Sequence, residues 1–111
     1  GLTADLNHIL EESHVGAILY EDQIPVSEAA VKMAEKSENT PLYHALSDGE
    51  DYELLFTLSK GQAKKVMESS LFEKGIFNCI GEITHGCGIQ MNFLDGKIRR
   101  IKPRGYEHLK S

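Results

Sequence analysis

The sequence predicts a layered α/β sandwich with a mixed β-sheet in a single domain, residues 1–111, and three observations predict it. Segments with the 3.6-residue period of an amphipathic helix alternate with short apolar runs of strand length. The run Tyr52–Leu58 is nearly continuously apolar, as in a strand covered on both faces. A length of 111 residues suits one domain, and a chain of that size buries roughly two-thirds of its unfolded surface without staples. The order reads helix, strand, helix, turn, strand, helix, strand, hairpin, which packs as layers around one core.

Each element has a local reason. Leu2, Leu6, Ile9 and Leu10 recur at i, i+4, i+7 and i+8, one helix face, with Thr3 as the expected cap. Gly16 is expected to end that helix, and Ala17-Ile18-Leu19-Tyr20 is of strand type. Asp22–Ser27 is a turn in which Pro25 stops helix and ladder alike. Ser27 is placed to cap a second helix running to about Lys36. Ser37–Pro41 is polar punctuation, and Leu42–Leu46 has room for one helical turn. Ser59-Lys60-Gly61-Gln62 has capping-box spacing and opens a helix with Ala63, Val66, Met67 and Leu71 facing inward. Gly75 suits the left-handed position beyond its end. Phe77–Ile80 reads as a strand with a bulge at Gly81, and His85–Gly88 as a loop. Ile89–Phe93 and the run Lys97–Ile101 are joined by the Asp95-Gly96 hairpin signal. Pro103–Ser111 is a tail with one aromatic, Tyr106.

Charge and composition exclude several functions. Against 17 acidic residues stand 12 basic ones, a net charge of −5 at pH 7 that argues against wrapping a nucleic-acid backbone. No apolar run approaches the roughly 18 residues of a membrane helix, and no secretory leader is read. The two cysteines, Cys79 and Cys87, lack Cys-x-x-Cys spacing and suit reduced thiols, hence a cytoplasmic setting. The chain opens on Gly1 without methionine and turns helical at once, so it reads as part of a longer polypeptide.

Four carboxylates, Asp48, Glu50, Asp51 and Glu53, crowd the mouth of the apolar run. Charges of one sign this close require a cation, hydrogen-bond donors or open water. Asp48-Gly49 is a turn signal, and a loop held by a rigid strand is where binding residues concentrate. Alternation sends Glu50 and Asp51 to opposite faces, so the two serve different partners. The same residues also read as a plain turn, Asp48 and Asp51 accepting from local N–H groups while Glu50 and Glu53 are solvated. On residue chemistry alone that second reading is the simpler. Tyr106, between Gly105 and Glu107, either covers a core edge or stacks on a flat ligand.

Other candidates fall away. Cys79, His85 and Cys87 match no zinc signature, and Cys79 on a strand reads as a small buried hydrophobe. The five histidines are scattered, and His8 with Glu12 reads as surface pairing. The sequence holds no nucleophile elbow, phosphate loop or Gly-x-Gly-x-x-Gly after a strand.

The stretches Gly1–Ala17, Ile24-Pro25, Ala45–Thr57 ("ALSDGEDYELLFT"), Ile80–Thr84 and Gly105–Leu109 come in the order found in one enzyme family. Over essentially its whole length the chain resembles the C-terminal domain of thiamine-monophosphate kinase. The resemblance implies the C-terminal half of the aminoimidazole-ribonucleotide-synthetase superfamily, an α/β (α+β) three-layer sandwich with a mixed β-sheet. It implies ATP-dependent, Mg²⁺-dependent phosphorylation of thiamine monophosphate to thiamine diphosphate by the full-length, homodimeric protein. The N-terminal domain of that family supplies the ATP site and most metal-binding aspartates, so the fragment alone is expected to be inactive and to hold no catalytic or metal residue.

On the substrate side, the resemblance assigns Glu50 to the thiamine moiety and Tyr106 to its ring, while Asp51 pins the loop. Such a pair suits the ligand. A carboxylate offsets the thiazolium cation and accepts from the aminopyrimidine, and an aromatic face attracts a flat cation. The family usually has Gly-Gly before Glu-Asp; here Asp48 stands first, one of the few residues that tolerates positive φ. Two other readings stay open: a sibling ATPase of the superfamily such as selenophosphate synthetase, and a non-catalytic small-molecule binding module.

Overall fold

Three leucines one helical turn apart start the core. Helix α1 (Leu2–Ser13) buries Leu2, Leu6 and Leu10 at 6% exposure or less, with Ile9 half-buried beside them. The computed structural model describes residues 2–26, 28–47, 55–75 and 77–102. Thr3 does not cap α1: it lies inside the first turn, fully buried, and its hydroxyl donates to the Leu46 carbonyl 3.3 Å away. The side-chain pair that forms along α1 is Asn7 with Glu11, Nδ2 to Oε1 at 2.8 Å, rather than His8 with Glu12.

The helix ends on His14, not Gly16. His14 takes φ of +55°, and the Val15 N–H bonds back to the Leu10 carbonyl at 3.1 Å, the six-to-one bond of a Schellman end. Gly16 instead opens strand β1 (Gly16–Tyr20). A 3₁₀ turn, Glu21–Gln23, follows and drops Ile24 into the core. Helix α2 (Glu28–Glu35) packs on α3 (Pro41–Ser47), which is two turns long rather than one. Ser27, the expected cap of α2, lies outside the described residues.

The run expected to be the strongest strand is not one where it is described. Residues 55–59 belong to neither helix nor strand, and Phe56 and Leu58 are 42% and 38% exposed. Apolar composition alone therefore misled, because a strand also needs a paired neighbour for its N–H and C=O groups. Tyr52–Leu54, the start of that run, lie outside the described residues.

Helix α4 (Lys60–Met67) begins at the capping box that the sequence announces. Ser59 Oγ accepts from the Gln62 N–H at 3.2 Å, and Gln62 Oε1 accepts from the Ser59 N–H at 3.3 Å. Its inward face is shallower than expected: Ala63 and Val66 are half-buried and Met67 is 46% exposed. The reason is its neighbour, since α4 packs chiefly on α5 (Ser70–Glu73), a single turn recapped by Ser69. The side chain of Leu71 is outside the described set. Gly75 closes α5 in the left-handed conformation at φ +75°.

Strand β2 (Gly81–Thr84) begins four residues later than Phe77, the expected start. Only Ile80 of the earlier stretch joins the ladder, its carbonyl accepting from the Tyr20 N–H at 2.9 Å. Gly81 marks close approach rather than a bulge: a Cβ there would strike the Ile18 carbonyl oxygen of β1. Cys79 is exposed, not a buried hydrophobe, because the segment before β2 lies off the sheet.

Strands β3 (Gly88–Asn92) and β4 (Ile98–Ile101) form the expected hairpin. Its loop holds three residues, Leu94-Asp95-Gly96, with Gly96 left-handed at φ +85°. The sheet order is β2-β1-β3-β4, with β1 antiparallel to β2, parallel to β3, and β3 antiparallel to β4. The result is the mixed sheet of an α+β sandwich. Ala17, Leu19, Ile89, Met91 and Ile101 alternate onto one face, where α1 and α3 bury them with Leu42 and Leu46.

One connection constrains the sequence sharply. Strands β2 and β3 are joined by only His85-Gly86-Cys87, yet β1 lies between them. The three residues therefore cross the start of β1. A Cβ on Gly16 would sit 2.8 Å from Thr84 Oγ1 and 2.9 Å from the Cys87 nitrogen. Glycine is required by the crossing chain, not by a helix end.

The hairpin loop carries its own acid dependence. The Lys97 N–H and then the Arg99 guanidinium, bonded to Asp95 at 2.8 and 2.6 Å, hold the Asp95 carboxyl below its ordinary range. The folded state thus binds this proton more weakly than the unfolded chain. Its stabilisation is complete above the ordinary carboxylate pKa and is lost as pH falls through the lower folded value. Asp95→Asn is expected to flatten the acid limb of a stability profile measured by urea unfolding from about pH 6 to about pH 2. An unchanged acid limb would show that the turn contributes nothing.

Candidate functional site

The acidic stretch has firm ground on both sides. On its N-terminal side stands α3, whose start is fixed by Thr40 and Pro41. Thr40 Oγ1 accepts from the Tyr43 N–H at 3.1 Å, and Pro41 occupies the first helical position, where its missing N–H costs nothing. His44 is buried at 5% exposure, with its Nε2 2.8 Å from Ser37 Oγ and its ring edge-on to Tyr43. Leu46 is wholly buried, and its carbonyl receives the Thr3 hydroxyl. On the C-terminal side, Leu55 packs against the same core cluster as Leu46.

Glu50 and Asp51, the predicted substrate residues of this stretch, lie outside the described residues, as does Tyr106. Their anchors are described. Glu50 comes four residues after Leu46 and five before Leu55; Tyr106 comes five after Ile101, which is 3% exposed. Leu46 and Ile101 belong to one core cluster, and Leu55 packs against it. Five extended residues span at most about 18 Å, so core geometry tethers both candidate groups on short leashes. Thr3, Ser37 and His44, which brace this ground, were not singled out for that role by sequence reasoning. The Thr40-Pro41 pair was the signal for α3, since a capping residue followed by proline marks a helix start.

Elsewhere, a groove of about 340 Å³ runs between the end of α1 and the crossing loop, lined by Asn7, Leu10, Glu11, His14, Val15, Cys87 and Gly88. Arg100 lies over Gly88 beside it and donates to the Cys87 carbonyl at 2.9 Å. On the same side of the sheet as Arg100, Tyr20 meets Glu82. Burial of the phenol, then the charge and hydrogen bond of Glu82, push the Tyr20 hydroxyl above its ordinary pKa. Among the described residues, no three His, Cys, Asp or Glu side chains gather as metal ligands. No described helix is long and apolar enough to cross a membrane.

No protein-family model matches the chain. Among curated proteins, the thiamine-monophosphate kinase of Rhodopirellula baltica is 37% identical over 108 residues, covering 97% of this chain and 34% of that protein. The thiamine-monophosphate kinase of Buchnera aphidicola from Schizaphis graminum is 42% identical over 111 residues, covering 97% and 33%. That of Escherichia coli is 34% identical over 109 residues, again covering 97% and 33%. The chain is homologous to a segment of the thiamine-monophosphate kinases. It spans about a third of the length of the relatives it matches.

Proposed function

We propose that this chain is the substrate-side C-terminal domain of a cytoplasmic thiamine-monophosphate kinase, which transfers the γ-phosphoryl group of ATP to thiamine monophosphate. The observation that carries the reading is the match over 97% of the chain to proteins bearing that name. Two-thirds of each relative lies beyond the match, and the ATP site, the homodimer contact and an N-terminal domain are assigned there. Mg²⁺ is assigned to the same region as the ATP site, where the resemblance puts most of the metal-binding aspartates. On this reading the 111 residues alone do not turn over.

Glu50 accepts from the aminopyrimidine and offsets the thiazolium charge, Tyr106 stacks on the ring, and Asp51 holds the loop. Phosphoryl transfer asks for positioning and charge neutralisation more than covalent chemistry, and a domain that seats the acceptor supplies the first. Support comes from the anchors: Leu46 and Ile101 share one cluster and Leu55 packs against it, so the described chain on either side of the acidic stretch and before the tail meets the same core.

In the full-length enzyme, Glu50→Gln is expected to raise the KM for thiamine monophosphate about tenfold or more, the loss of a hydrogen bond to a charged group. Tyr106→Ala is expected to raise it several-fold, the scale of a cation–π contact. The KM for ATP stays put in both. Unchanged thiamine monophosphate kinetics in both variants would refute the assignment.

A further inference from the structure

We draw no further inference here: the strongest candidate, the groove between the end of α1 and the crossing loop where the exposed Cys87 thiol lies 3.2 Å from the Arg100 guanidinium, rests on a lone cysteine, with nothing else in the structure that points to a ligand.

Discussion

Leu46→Ala is expected to cost about 3 kcal/mol or more, lowering the thermal midpoint of the domain by roughly 10 to 20 °C. Leu46 is the most enclosed large side chain of α3, at 0% exposure, and it meets α1 through both packing and the Thr3 bond to its carbonyl. Truncation removes its transfer free energy and leaves a cavity in a cluster drawn from α1, α3 and the sheet, separate elements that cannot all collapse inward. Leu94→Ala is the control: at 72% exposure on the hairpin loop it should shift stability by less than about 0.5 kcal/mol. Comparable losses from the two, read by calorimetry, would contradict the placement of α3 in the core.

Gly81→Ala should be nearly as damaging, for a different reason. Its Cβ would overlap the Ile18 carbonyl oxygen and lie 3.0 Å from the Leu19 Cα. Both are backbone atoms of the paired strand, so no rotamer change relieves the clash; β1 and β2 must part or slip. Overpacking of this kind costs about 1 to 3 kcal/mol where side chains can yield, and more where they cannot. Gly61 supplies the contrast. Nothing lies within 4 Å of a Cβ there, on exposed α4, and Gly61→Ala should stabilise by about 0.5 to 1 kcal/mol. Opposite signs for two Gly→Ala changes, measured by denaturant titration, are the expected result. A stable Gly81→Ala protein would mean that β2 does not lie against β1 as described.

How much of this was legible in the residues follows from how local each signal is. The Ser59–Gln62 box and the Asp95-Gly96 turn are closed within four residues, and both appear where the sequence puts them. The leucine face of α1 is set by helical period and formed as read. Gly16 and Gly81 were visible as glycines, but their reason is a chain that arrives from more than 60 positions away, which no local pattern encodes. Leu55–Leu58 failed the other way: its composition is of strand type, but strands are made by partners. For the site, the acidic stretch was conspicuous by charge density, whereas Thr3 looked like a cap because capping is what threonine near a helix start ordinarily does. Only packing shows that its hydroxyl points across to another helix.

The short crossing of β1 also sets a timetable. The strand at the heart of the sheet comes from residues 16–20, yet both of its neighbours come from residues 81–92. Some sixty residues separate it from them, a distance that slows closure through the entropy of long loops. When the neighbours do arrive they come as a clamp already joined at one end, and with three residues in the joint neither jaw can close without the other. Assembly of the sheet is thereby made a single cooperative act.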